Sequence, residues 1–191
     1  MGKIRNFSGF KLYEGFDDGD IGIEKEVQES VIKFLTTLQA NSFVLFMKIW
    51  NFHWNIVSPT FGPTHSFFND LYDKFFENID AVAERIRQLG GRPLGSLDAM
   101  IKNAELKEFP EDDTVPDEKE MYKKVLEDYE SIIKDIRKFL AGDEEKEEKK
   151  KDEEKKVEEK LSVDSGTTNF LEDMIMKLEK DAWMLRSHLT K

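Results

Sequence analysis

Two imidazoles and two carboxylates carry the chemistry this sequence offers. His53 and His65 stand twelve residues apart, and Asp80 and Glu84 stand one helical turn apart further along. Imidazole nitrogen and carboxylate oxygen together suit Fe(II), Zn or Mn better than Mg or Ca. The chain has no cysteine. Closed structural zinc sites without cysteine are uncommon, and a site with few ligands leaves positions open for an oxidant. No histidine has a glutamate three residues before it, so the Glu-x-x-His pairs of intrachain di-iron bundles are missing. Trp54 adjoins His53 and reads as an aromatic that seals the site, with a part in electron transfer as the alternative.

The elements that must position these groups are legible around them. Ser58-Pro59-Thr60 interrupts two helical patterns, and the second runs without proline from Pro63 to the glycine pair Gly90-Gly91, where a helix should close. His53 and His65 each lie six residues from Pro59. In an antiparallel hairpin they sit side by side and can share a metal ion. Asp80 and Glu84 cannot join them in the same chain, because fifteen residues of helix separate His65 from Asp80 by about 22 Å. All of them nonetheless face one way: with His65 at zero, Asp80 falls near ~60° and Glu84 near ~100°. A second copy packed antiparallel across a two-fold axis near Tyr72 and Asp73 would bring each histidine pair to the other chain's carboxylates, giving two equivalent sites per dimer. The apolar arc Phe67, Phe68, Leu71, Phe75, Ile79, Val82, Ile86 and Leu89, widened by Tyr72, Phe76 and Ala83, is broad enough to pack on two sides.

At these residues the chain resembles a family. The run His53-Trp54-Asn55, His65 twelve residues on, then Ile79-Asp80-x-x-Ala83-Glu84-Arg85 and Leu89-Gly90-Gly91-x-Pro93 is similar to the ferroxidase segment of Dps-type mini-ferritins. The runs from Gly166 to Leu171 and from Leu178 to Leu185 resemble that family's last helix. The resemblance covers roughly residues 24–141 and 164–190. It implies an all-α, ferritin-like four-helix bundle with a short extra helix between helices 2 and 3, assembled as a hollow dodecamer. It also implies Fe(II) oxidation, with hydrogen peroxide as the usual oxidant and dioxygen slower, and storage of ferric mineral in the cavity. His53, His65, Asp80 and Glu84 fall on the family's iron positions, with Zn as a non-reactive substitute. Where the family has an aspartate four residues after the second histidine, this chain has Asn69. A neutral carbonyl oxygen there makes Asn69 a weak ligand, so the second iron would bind weakly unless Asp73, two turns beyond His65, swings in. The family's pore aspartate corresponds to Asn169, so Asp164, Glu172 or Asp173 would have to line a three-fold pore.

The length suits one domain, read as an N-terminal arm over 1–22 and a bundle over 23–191. The arm mixes Lys3, Arg5 and Lys11 with Glu14, Asp17, Asp18 and Asp20, and phosphate binding needs clustered cations. With a formal charge of −11, DNA binding is not expected. No apolar run approaches a membrane span and no signal-peptide pattern opens the chain. Absence of cysteine fits a cytoplasmic protein. Val27 to Trp54 carries core spacing for the first helix. Ser96 caps a short helix, Pro110 to Pro116 mark a connection, and a third long helix begins near Asp117. Residues 143–160 hold ten acids, seven lysines and one valine, a solvated insertion that ion pairs alone hardly stabilise. The last helix is expected after Asp164-Ser165-Gly166. His188 near its end suits the helix dipole rather than a metal.

Two other classes compete with the iron-oxidising homo-oligomer. One is a DNA-compacting protective protein with little oxidase activity. The other is a metal-binding shell without oxidase activity.

Overall fold

The structure is a computed structural model that describes residues 4–7, 10–13, 21–110, 114–142 and 163–190. Four long helices and one short one account for most of it: α1 (Lys25–Asn55), α2 (Phe61–Gln88), α3 (Leu97–Asn103), α4 (Glu118–Ala141) and α5 (Ser165–Leu189). Within the N-terminal arm, β1 (Ile4–Phe7) and β2 (Phe10–Tyr13) pair antiparallel, with Ile4 opposite Tyr13. That pairing was not anticipated. The acidic run Glu111-Asp112-Asp113 and the insertion 143–160 lie outside the described residues.

Side-chain contacts fix the helix directions. Gln28 Nε2 donates to the Leu89 carbonyl while His53 meets His65, so α1 and α2 are antiparallel. Lys48 with Asp128, and Phe34 stacked on Phe139, make α1 antiparallel to α4. Lys74 with Asp181 and Arg85 with Thr167 do the same for α2 and α5. Arg186 with Glu130 and Arg137 with Glu179 complete the ring by running α5 against α4. The bundle order is therefore α1, α2, α5, α4. Its core joins Leu35, Leu45 and Ile49 to Phe68, Leu71 and Phe75, then to Tyr122, Tyr129, Leu171 and Leu178. Period-3.6 patterning places these residues inward on every helix.

The caps follow the sequence closely. Ser96, Asp117 and Asp164 accept from the backbone N–H three residues on, as N-cap oxygens do. Because Asp164 is itself the cap, α5 starts at Ser165, two residues earlier than expected. Gly90 takes φ +76° past the end of α2. Gly91 sits where an added Cβ would lie 2.8 Å from Ile86 Cγ2 and 3.0 Å from Ile32 Cγ2, so only glycine lets the chain turn this tightly onto α1.

One expectation needs correction. By length and composition, α1 does hold a window apolar enough to cross a membrane, with mean hydropathy 1.2. In the bundle 61% of that window is buried, with α2, α3 and α4 all packed against this helix. The polar residues dispersed through it disguised its apolar total. Several of them hold the long connection between α2 and α4. Gln39 exchanges two hydrogen bonds with the Leu94 backbone, and Asn41 Oδ1 accepts from the N–H groups of Glu105 and Leu106.

Candidate metal centre

The corner between α1 and α2 brings the two histidines together. Their rings stack with centroids 3.7 Å apart and planes 20° from parallel. His53 Nδ1 lies 2.9 Å from the His65 carbonyl oxygen, and His65 Nδ1 lies 2.8 Å from the His53 carbonyl oxygen. A carbonyl oxygen can only accept, so both Nδ1 atoms must carry the proton. In a neutral ring this leaves the lone pair on Nε2, the form in which imidazole binds a metal. The His53 carbonyl belongs to the last turn of α1, where helical partners run out. The clasp therefore satisfies a helix end and sets two ring tautomers at once.

Around the clasp, Phe61 stacks on His65 at 5.0 Å, and Tyr72 meets the His53 ring edge-on at 5.1 Å. The Tyr72 hydroxyl donates to Asn69 Oδ1 at 2.7 Å, and Asn69 Nδ2 donates to Asp73 Oδ2 at 2.8 Å. Burial first, then the neighbouring Asp73 charge, raise the Tyr72 pKa, so the phenol stays protonated and its donor role is secure. Tyr72 was not singled out as a site residue, although its place three residues after Asn69 is the spacing at which helical side chains meet.

Behind the clasp, Glu118 at the start of α4 ties down the corner. It accepts from Thr60 at 2.7 Å and also from Thr64. Tyr122 in turn donates to Thr64 at 3.0 Å. Burial works to raise the Glu118 pKa, but hydrogen bonds from Thr64, Thr60 and Ser58, with His188 nearby, hold it below the ordinary carboxylate value. Sequence offered no sign of this link, because Glu118 is more than fifty positions from both threonines. His188 itself stacks on Tyr122 with centroids 4.4 Å apart.

Asp80 and Glu84 are exposed on α2, with no ion pair or hydrogen bond among the described residues. No group of three or more potential ligands gathers among the described residues of one chain. Between the histidines and these carboxylates runs an uncovered aromatic strip. Trp54 packs on Trp50 at 4.5 Å and Trp50 on Phe46 at 5.2 Å. Phe46 then reaches Tyr72 and Phe76. Trp54 is 56% exposed and Phe76 65%.

At the other end of the bundle, Asp164 gives Oδ1 to the α5 cap and to Arg85, 2.9 Å away. Arg85 also donates to Thr167. Glu172, Asp173 and Asn169 are exposed on α5, and Asp173 pairs with Lys177 at 2.7 Å.

Comparison with known proteins gives this arrangement a lineage. A model of the Ferritin-like domain family matches residues 32–149. The DNA protection during starvation protein of Helicobacter pylori is 36% identical over 157 residues, covering 82% of this chain and 96% of that one. The chain belongs to the Dps-type mini-ferritins. An uncharacterized low temperature-induced protein of a Nostoc species is 35% identical to this mini-ferritin, covering 89% of this chain and 86% of that one. Among solved structures, the DPS protein of Vibrio cholerae, described as a member of a superfamily of ferritin-like diiron-carboxylate proteins, superposes with TM-score 0.75. It is 26% identical and covers 90% of this chain and 96% of its own. Helicobacter cinaedi CAIP superposes with TM-score 0.68 at 33% identity, covering 84% and 99%. The expected ferritin-like bundle, with its extra helix between the second and third long helices, is thus the fold of this mini-ferritin.

Proposed function

We propose that this mini-ferritin takes up Fe(II), oxidises it at sites shared between two chains, and stores the ferric product inside a hollow dodecamer in the cytoplasm. The observation that carries this reading is the histidine clasp: two Nε2 atoms held side by side, with the complementary carboxylates unpaired among the described residues and about 22 Å away along α2. A partner chain related by a two-fold axis near Tyr72 and Asp73 would cover the strip of Phe46, Trp50, Trp54, Tyr72 and Phe76. It would also deliver its own Asp80 and Glu84 to the clasp.

In that site His53 and His65 bind Fe(II) through Nε2. Asp80 and Glu84 of the other chain neutralise its charge, with Glu84 able to bridge two ions. The aromatic strip excludes water from one side, which strengthens every charge interaction inside. Hydrogen peroxide is the oxidant we assign. Each peroxide takes two electrons and two protons to give two waters, so two Fe(II) ions each give up one electron per turnover. Zn, with the same ligand preference and no redox chemistry, would occupy the site without turnover. Of the three candidate pore carboxylates, Glu172 is exposed with no ion pair among the described residues, while Asp173 pairs with Lys177 and Asp164 with Arg85, so Glu172 is the one placed to draw cations toward a pore.

Subunit complementation tests the shared site. His65→Ala and Glu84→Ala each abolish oxidation alone. A mixed dimer has one dead site and one intact site, so random co-assembly restores about a quarter of the wild-type sites. Ferric absorbance after anaerobic iron loading and peroxide addition reads the result. Mixed assemblies no more active than either parent would remove the shared-site reading.

A further inference from the structure

On the opposite flank of α1 from the clasp, a cavity of about 340 Å³ opens between α1 and α4. Its floor is apolar, made by Leu38, Ile132 and the phenyl rings of Phe34 and Phe139, which lie 4.0 Å apart and parallel to within 1°. Its end wall is Asn41, only 3% exposed. The Asn41 carbonyl is committed to the Glu105 and Leu106 N–H groups. Its amide nitrogen has no partner among the described residues, and it lines the cavity.

Four charged side chains ring this space: Lys33 from α1, Asp135 and Lys138 from α4, and Glu105 from the connection. None of the four forms an ion pair or a side-chain hydrogen bond among the described residues. Asp135 is half-buried, and burial raises its carboxyl pKa against the opposing pull of Lys138 and Lys134. Lys33, Lys138 and Glu105 are exposed, so of the four only the Asp135 carboxylate carries a desolvation cost that a ligand's ammonium would relieve. Two cations and two anions held apart over an apolar floor are complementary to a small molecule that carries both signs and one apolar arm. The volume matches the lower range of small-ligand sites.

We propose that this cavity binds a zwitterionic α-amino acid with an apolar side chain. The ligand's carboxylate lies between Lys33 and Lys138, and its ammonium reaches Asp135 and Glu105. Its side chain covers Leu38 and the two phenylalanines, while the Asn41 amide donates to the carboxylate. None of these residues belongs to the proposed iron site, so binding and iron oxidation are separable.

L-Phenylalanine is the probe, observed by saturation-transfer NMR on the full-length assembly. Saturable transfer is expected below about 10 mM, with at least tenfold weaker binding of hydrocinnamate, which lacks the ammonium, and of phenethylamine, which lacks the carboxylate. Glycine, without an apolar arm, is expected to give none. The double variant Lys33→Ala/Lys138→Ala should lose the phenylalanine signal while keeping its elution volume and its rate of iron oxidation. The proposal fails if phenylalanine gives no saturable signal. It also fails if either single-charge analogue binds as well as phenylalanine, or if the double variant binds like the parent.

Discussion

Asn69 stands where the resemblance leads one to expect a metal-binding aspartate, and the structure gives that difference a local form. The carboxamide is held at both ends, by the Tyr72 hydroxyl on its oxygen and by Asp73 on its nitrogen. Two Fe(II) ions a few ångströms apart repel, and a neutral ligand compensates less of that repulsion than a carboxylate. The second iron should therefore bind weakly, which matters because each peroxide needs two electrons. Asn69→Asp should raise the number of tight irons per site from one to two, measured by anaerobic titration, and speed oxidation at low iron. The same change sets two carboxylates one turn apart, costing the apoprotein about 0.3 kcal/mol or somewhat more. A native protein that already binds two tight irons per site, unchanged by Asn69→Asp, would refute this. The neutral charge at position 69 was legible in the sequence. Its immobilisation was not, because which lone pairs of an amide are spent depends on rotamers that spacing does not specify.

At the level of elements, the sequence disclosed the helices and their ends, and the bundle it implied is the one that forms. Ser96, Asp117 and Gly90 act where short-range signals place them, since a cap is a contract within three or four residues. What joins the helices was hidden. Lys48 of α1 and Asp128 of α4, 9% and 14% exposed, form an ion pair inside the bundle, and burial raises the Asp128 pKa despite the lysine. A buried pair of this kind costs more when broken than it contributes when whole. Lys48→Met should destabilise the fold by about 3 kcal/mol, while Lys48→Met/Asp128→Leu should return close to the parent. Thermal melts of the two variants and the parent decide it; equal losses in both would mean that the pair itself holds α1 to α4. On linkage grounds a carboxyl with a raised folded pKa favours the native state below its unfolded pKa and loses that contribution as pH rises through the folded value. The Lys48→Met variant should accordingly recover stability toward acid pH relative to neutral.

For the whole molecule, the sign of the charge and the exposed aromatic strip are the properties that matter. With a formal charge of −11 per chain, duplex DNA should be repelled at physiological salt in the absence of bridging divalent cations, and a gel shift is expected to show free DNA only. Relatives named for DNA protection make this worth measuring; a clear shift that survives removal of residues 1–22 would assign binding to another surface. The reason to propose a second chain was legible in the sequence, because an axial gap of about 22 Å between His65 and Asp80 can be computed from residue numbers alone. The sequence could not carry the clasp, in which each histidine ring closes on the other's backbone. That closure has a consequence for the proposed iron store, which must exist before its cargo arrives and outlast its departure. Because the two Nδ1–H groups are spent on backbone carbonyls and only Nε2 would face a metal, iron in the proposed site could load and leave without asking the corner to refold.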